Sequence, residues 1–368
     1  MQLSEFSSRG FRNLTPDPVS FGAGITLVTG ENAQGKTNLL EGLALLCGQR
    51  SFRCAAAADM AFDRQRFSIS GVLERDGRQE RIDVWWSSEA GREFRRGDKP
   101  ASFREISALA PAVFLAPEHR QLLTGSPAVR RRFLDRLVLG LRPAAGDDLA
   151  RYATALHERN ALLARARLGR GSGSPGELEA WTEELALAGS FVRRHRRAAL
   201  ALWKHEFDAI SAGAGRGEET IRVDYSTESD SAEELRQSCE RLLPLEKRRG
   251  YSLAGPHRDD LAWTRRGRPL SAQASSGEIA RTVASIKLAE WSSVAKASGA
   301  SPLFAADDFD AGLSGGTAEE FLDSLPAGAA VVLTSSSEAS RWARRASALL
   351  DVRGGAVSER RLLRAVEG

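Results

Sequence analysis

The stretch from Ile25 to Leu46, ITLVTGENAQGKTNLLEGLALL, constrains the fold of this chain more than any other. Ile25 to Thr29 has the short, apolar and β-branched character of a buried strand. Gly30, Glu31, Asn32, Ala33, Gln34, Gly35, Lys36 and Thr37 then fit the pattern GxxxxGK[ST]. After them Leu39, Leu40, Leu43, Leu45 and Leu46 recur at helical spacing. Strand, glycine-bearing loop and helix in that order aim the loop's backbone N–H groups, and the positive end of the helix, at a phosphate. Lys36 is expected to reach the β- and γ-phosphates and the Thr37 hydroxyl to ligate Mg²⁺. The chain is therefore expected to be an α/β protein of the phosphate-loop class that binds ATP with Mg²⁺.

A phosphate loop needs an acidic partner for the metal, and the segment PLFAADDFDAGLSGG supplies an apolar run, Leu303 to Ala306, ending in Asp307 and Asp308. Asp307 belongs near Mg²⁺. Asp308 would then lie beside the γ-phosphate, where a carboxylate orients or polarises the attacking water. Downstream, AVVLTSSSE reads as the next buried strand, with Thr334 and Ser335 at its carboxyl end. Ligands of α/β sheets gather beyond such ends, although an ordinary polar strand end accounts for these two residues as well.

At 368 residues the chain is long enough for two domains, or for one domain with an inserted lobe. Its 42% hydrophobic and 27% charged residues are ordinary for a soluble protein, and no apolar run reaches the length of a membrane span. The N-terminus, MQLSEFSSRGFRNL, lacks the pattern of a signal peptide. Cys47, Cys54 and Cys239 are widely spaced with no CxxC pair, which fits a reducing compartment and argues against a zinc site. A cytoplasmic location without a membrane partner is expected. The net charge is only +4, but basic residues cluster at RRRFLDR (Arg130 to Arg136), RRHRR (Arg193 to Arg197) and KRR (Lys247 to Arg249). Such patches neutralise DNA phosphates or form solvated helix faces. Arg130, Arg131 and Arg132 are the first choice for DNA contact, since they follow a loop rather than lie within a long amphipathic helix.

Alternating segments between about residues 66 and 100, separated by RDGR, suggest antiparallel strands and a hairpin. From about residue 142 two long helical patterns flank GRGSGSPG, the signature of a helical hairpin. The β/α texture returns after Gly250. This divides the chain into a head, residues 1–115 and 250–368, interrupted by a helical arm lobe at 116–249.

The segment ASSGEIARTVASIKLAE, starting at Ala274, has no nucleophile, base or metal ligand of its own. Locally, Ser275 with Glu278 three residues on is a capping box. Together with the phosphate loop and the acidic strand end, it resembles the signature motif of the ABC-type ATPases of the SMC, RecN and RecF group. FRNL (Phe11 to Leu14), GKTNLLEGL, RSFR (Arg50 to Arg53), FLAPEHRQLLTGSPAVRRRFLD (Phe114 to Asp135) and GPHRDDL (Gly255 to Leu261) look like the RecF family of recombination mediators. That resemblance implies an ABC-ATPase-like head of the SMC/RecF type, an arm lobe with a short helical hairpin, and ATP-dependent homodimerisation on double-stranded or gapped DNA. It also implies slow ATP hydrolysis, and partnership with RecO and RecR in loading RecA at gaps during repair. Ser275, Ser276, Gly277 and Glu278 would then face the γ-phosphate held by the other copy. Arg12 and Asn13 sit where this group contacts the nucleotide, and Glu118 where it senses the γ-phosphate. For His257, Arg258, Asp259 and Asp260, a salt-bridge network is the expected role. SSGEIART and DDFDAGLSGG resemble RecN more than RecF, and Ser314 stands where RecF carries an aspartate. The alternatives are another SMC/RecN-type ATPase, or a DNA-binding module with degraded ATPase activity.

Overall fold

The computed structural model describes residues 1–53, 56–75, 77–169, 171, 174, 176–213, 221–309, 319–320, 322–323, 325, 328–336 and 341–360. Ser314 and Cys54 lie outside the described residues. The chain divides into two compact units, one of Met1–Arg120 with the chain from Ser275 onward, the other of Gln121–Ala274.

The first part of unit 1 runs β1 (Gln2–Arg9), β2 (Val19–Ser20), β3 (Ile25–Thr29), α1 (Lys36–Leu46), α2 (Ala57–Met60), β4 (Arg66–Arg75), β5 (Arg78–Ser87), β6 (Gly91–Arg96), β7 (Lys99–Ala101), α3 (Phe103–Leu109) and β8 (Ala112–Leu115). Unit 2 contains α4 (Gln121–Thr124), α5 (Pro127–Leu141), α6 (Gly146–Arg167), α7 (Glu177–Gly213), β9 (Arg222–Ser226), α8 (Ala232–Arg249), β10 (Asp260–Arg265) and β11 (Arg268–Pro269). Unit 1 then resumes with α9 (Ser276–Ser298), β12 (Leu303–Ala306), β13 (Val331–Thr334), β14 (Ala348–Arg353) and β15 (Ala356–Arg360).

Unit 1 holds two six-stranded sheets. One is antiparallel, ordered β2-β1-β4-β5-β6-β7; its β4 and β5 pair from Arg66↔Ser87 to Arg75↔Arg78, the hairpin expected at RDGR. The other is ordered β15-β14-β3-β13-β12-β8, parallel apart from β15. Strand β3 is central in it, between β13 and β14. Leucines on α1 are buried in one core with Ile69 and Val84 of the antiparallel sheet and with Val28, Ala305 and Val332 of the parallel one. The leucine-rich run thus forms a helix buried on nearly all sides rather than one with a solvated face.

The expected helical hairpin is present as α6, of 22 residues, and α7, of 37. A third helix, α8, adds Leu235 and Cys239 to the core formed by Tyr152, Ala155, Leu185, Ala188 and Val192. The pair is therefore one side of a three-helix packing rather than a free two-helix coiled coil. The segment 250–274, expected with the head, falls within unit 2. There β10 pairs with β9, and Trp263 packs edge-on against Trp203 and Phe207 of α7, contacts that hold the segment to the helices.

Within the RRHRR cluster Arg193 and Arg196 are buried, whereas Arg194 and Arg197 are exposed. Arg193 forms a buried pair with Asp259 at 2.8 Å, Arg196 binds Asp135 at 2.7 Å, His195 meets Asp148 at 2.8 Å, and Arg197 binds Asp230 at 2.7 Å. The GPHRDD segment completes this network, as expected. Asp259 also accepts the Tyr225 hydroxyl, Asp260 takes Arg130, and the Nε2–H of His257 points to the Ser252 carbonyl while its Nδ1 faces the Tyr152 hydroxyl at 2.6 Å. Burial pushes the His257 imidazole down to about 4 and leaves it neutral.

Candidate nucleotide site

Register in the parallel sheet assembles the site. Thr334 pairs with Val28, and Ala306 with Leu333, so the residues after β3 and β12 and the last residue of β13 share one carboxyl edge. Asp307 follows β12 directly, and its two carboxylate oxygens are both engaged. The Thr37 hydroxyl donates to Oδ2 at 2.8 Å and the Thr334 hydroxyl to Oδ1 at 2.7 Å. Thr334 is fully buried and also accepts the Asp308 amide at 2.8 Å, so it braces both aspartates. Asp308 itself has φ 45°, a left-handed conformation that a non-glycine residue adopts at a cost.

Within the loop, Lys36 is buried and curls back, its ammonium donating to the carbonyls of Gly30 at 2.6 Å and Glu31 at 2.8 Å. Ala33 sits at φ 63°, so the loop turns through a left-handed residue without a glycine. The turn between β14 and β15 clamps this loop from the side: Gly355 N–H donates to the Gln34 carbonyl at 2.9 Å, and Gly354 N–H to Gln34 Oε1 at 2.6 Å. Asn13 Nδ2 donates to the same Gln34 carbonyl at 3.0 Å.

Arg12, expected at the nucleotide, is turned toward a carboxylate. Its Nε and Nη2 bind Glu41 at 2.9 and 3.0 Å, and its Nη1 donates to the Asp59 carbonyl at 2.8 Å. Glu41, on α1, is completely buried, and also accepts the Ser51 hydroxyl. Arg53 lies beside it, with Nη1 3.6 Å from Glu41 and 2.8 Å from Asn38 Oδ1. Asn38 in turn donates to Asn13 Oδ1 at 2.7 Å. A hydrogen-bonded chain therefore joins Arg53, Asn38 and Asn13 to the phosphate loop.

Burial pushes the Asp307 carboxyl above its usual range, against the hydrogen bonds from Thr334 and Thr37; nearby Glu118 adds to the rise and Arg53 opposes it. Glu118 lies in a 3₁₀ turn, Pro117–Arg120, and its Oε2 is buried without a hydrogen-bond partner among the described residues. A destabilised carboxylate, a second carboxylate with an orphaned oxygen and a threonine hydroxyl form a set of hard oxygen donors, which suits a divalent cation such as Mg²⁺.

Ser275 caps α9 as expected: its Oγ accepts the Glu278 amide at 3.2 Å, and Glu278 Oε2 accepts the Ser275 amide at 2.7 Å. Ser275, Ser276 and Gly277 are exposed, so the N-terminal turn of a 23-residue helix is open to an incoming anion. Of the three arginines expected at DNA, Arg130 is committed to Asp260 and the Gly125 carbonyl, and Arg131 donates to the Asp259 carbonyl. Arg132 is exposed, as are Lys247, Arg248 and Arg249.

The Gly354–Gly355 turn is not singled out by sequence pattern, and Asn38, Glu41 and Arg53 fall in segments that carry the family resemblance, GKTNLLEGL and RSFR, without a role of their own being legible. Glu41 further stands out as a charge within the apolar run LLEGLALL, although its partners do not.

A central strand leading through a glycine-bearing loop into a buried helix, with an acidic residue beyond the second strand along, defines an ABC-type nucleotide-binding head of the SMC kind. An Smc head bound to the winged-helix domain of ScpA matches with TM-score 0.54 at 13% identity over 98% of both chains. The structure of the recombination mediator protein RecF with ATP, in the RecFOR pathway, matches with TM-score 0.88 at 24% identity over 98% of both chains. No family model matches the sequence. Among curated relatives, the DNA replication and repair protein RecF of Heliobacterium modesticaldum is 32% identical over 334 residues, 88% of this chain and 89% of that protein. RecF of Myxococcus xanthus is 31% identical over 375 residues, 98% of each. The chain belongs to the RecF family of DNA replication and repair proteins.

Proposed function

We propose that this chain is an ATP-binding, slowly hydrolysing DNA-associated ATPase of replication and recombinational repair, acting as a recombination mediator. The observation that carries this reading is the Thr37–Asp307–Thr334 cluster at the mouth of the phosphate loop. Gly30 to Thr37 hold the phosphates, with Lys36 supplying charge and Thr37 and Asp307 holding Mg²⁺. Bound there, Mg²⁺ neutralises charge on the β- and γ-phosphates. Asp308, braced through its amide, orients the attacking water. Arg12 and Asn13 support the loop from behind, as their hydrogen bonds to Glu41 and Gln34 indicate.

The exposed turn at Ser275 to Glu278 supports ATP-dependent homodimerisation, in which each copy offers this turn to the nucleotide of the other. DNA is the expected polyanion, contacted by exposed basic residues such as Arg132 rather than by Arg130 and Arg131. The ATP-bound RecF that resembles this chain acts in the RecFOR pathway, which supports RecO and RecR as partners here, RecA loading at gaps as the outcome, and the cytoplasm as the setting. Among the described residues no helix is long and apolar enough to cross a membrane.

The test is sedimentation with ATP and Mg²⁺. Lys36→Ala is expected to lose ATP binding and to remain monomeric. Asp308→Asn is expected to bind ATP and hold the dimer longer, while its turnover falls by about a hundredfold or more through loss of the group that positions water. An Asp308→Asn protein that stays monomeric at saturating ATP rules out the paired-head reading.

A further inference from the structure

Thr334 ends β13 and is fully buried. Along β12 the Phe304 amide donates to the Ala330 carbonyl at 2.9 Å, and the register carries this pairing upward until Ala306 stands opposite Leu333. The strand stops at Ala306, and two residues on Asp308 has turned out of it at φ 45°. Its amide is met by a side chain, the Thr334 hydroxyl, at 2.8 Å. A backbone amide can only donate, so the hydroxyl oxygen accepts there and its single proton goes to Asp307 Oδ1 at 2.7 Å. Asp307 is held from two further sides, its amide by the Leu115 carbonyl and its Oδ2 by Thr37, both at 2.8 Å. The phosphate loop is shaped by other contacts, those of Lys36 with Gly30 and Glu31 and of Gln34 with the turn after β14.

We propose that Thr334 is a positioning residue for hydrolysis: its hydroxyl holds the Asp308 backbone in the left-handed turn beside Asp307, so that it sets the rate of turnover and leaves the hold on the nucleotide to the phosphate loop. The inference rests on the reading of Gly30 to Thr37 as an ATP site and of Asp308 as the group that orients water. A left-handed non-glycine residue persists only where its surroundings enforce that conformation. Without the hydroxyl the Asp308 amide loses its acceptor, and the turn relaxes toward the broader allowed regions of the backbone. Asp307 keeps its bonds to Leu115 and Thr37 and stays in place. Thr334 itself touches no water or phosphate in this scheme.

Two readings decide it: the affinity for a fluorescent ATP analogue without Mg²⁺, and the single-turnover rate of ATP hydrolysis at saturating Mg²⁺. Thr334→Val keeps the branched shape and removes the hydroxyl. It is expected to bind the analogue within about threefold of the unaltered protein and to hydrolyse ATP about tenfold or more slowly, the loss of one buried hydrogen bond. Raising Mg²⁺ further does not restore that rate. Thr334→Ser, which returns the hydroxyl, is expected to regain the rate to within about threefold. In the Asp308→Asn background Thr334→Val has no further effect, because it acts through Asp308. An affinity that falls as far as the rate overturns the proposal, since that is the behaviour of a residue that merely supports the fold. So does a rate that extra Mg²⁺ restores, which makes Asp307 alone the target, or a further loss on top of Asp308→Asn. Should Thr334→Val fail to fold, Thr334→Ala decides by the same two readings, and its failure as well assigns Thr334 to the fold and overturns the proposal. Lys36→Ala is run alongside; if it retains the analogue, the ATP site itself has been misplaced, which is a separate failure.

Discussion

Gly355 shows at single-residue scale how closely the phosphate loop is hemmed in. It has φ 90°, and a Cβ placed on it would lie 1.7 Å from the Asn13 carbonyl oxygen. Its neighbour Gly354 has φ 55° and open space around the same position. Gly354→Ala therefore costs only left-handed strain, about 1 kcal/mol, whereas Gly355→Ala must push the turn off the loop and is expected to cost more than about 2 kcal/mol. Urea unfolding with and without ATP checks this: the Gly355 variant should lose most of its ATP-dependent stabilisation and the Gly354 variant should keep it. The contrast also shows what sequence can and cannot display. Gly30 to Thr37 are legible because phosphate binding demands a contiguous set of residue types. Asp307 is legible because it ends an apolar run. Gly355 and Glu41 are not, since one acts through a contact 321 residues away along the chain, to Gln34, and the other through partners at Arg12, Ser51 and Arg53.

At the scale of an element, the first turn of α9 is capped within the chain and is proposed to meet a nucleotide as well, two demands that pull in opposite directions. The capping box between Ser275 and Glu278 satisfies helix-terminal groups within the chain, yet the same turn is exposed and suited to an anion. Gly277 separates these roles, because a Cβ there meets nothing within 4 Å. Gly277→Ala should stabilise the isolated chain by roughly 0.5–1 kcal/mol through helix propensity. If a nucleotide on another copy must approach that backbone closely, the same substitution weakens ATP-dependent dimerisation. Thermal unfolding and sedimentation together read the two effects; a stabilised variant that pairs as readily as before would leave α9 with a cap alone. Sequence exposed the cap fully, since its four residues are adjacent, but could not show that the turn faces solvent.

Over the whole molecule the basic clusters divide, Lys247 to Arg249 being exposed while Arg193 and Arg196 are buried in ion pairs. The basic clusters invite a polyanion, but the carboxylates that answer Arg193, Arg196 and Arg197 come from Asp259, Asp135 and Asp230, each on a different part of unit 2. Pairing across such sequence distances cannot be read from spacing. The His257 imidazole at the edge of this network makes unit 2 acid-sensitive in a defined direction. Its folded value of about 4 lies below the ordinary 6.5, so the unfolded chain takes up the proton first. Stability from this group is complete above about pH 6.5 and falls as the pH drops toward about 4, by at most roughly 3 kcal/mol. Urea midpoints at pH 7 and pH 5 should therefore differ less in His257→Gln than in the unaltered protein.

The strand that carries the phosphate loop, β3, is flanked by β13 and β14, which begin at Val331 and Ala348. During synthesis, a ribosome that has released only the first 330 residues has therefore made the loop but neither of the strands that hold its base. The Gly354–Gly355 clamp arrives later still. High sequence separation of this kind delays assembly until the distant partner exists. Competence to hold ATP therefore waits until β13, β14 and the turn after β14 have been made, however early the loop itself emerges.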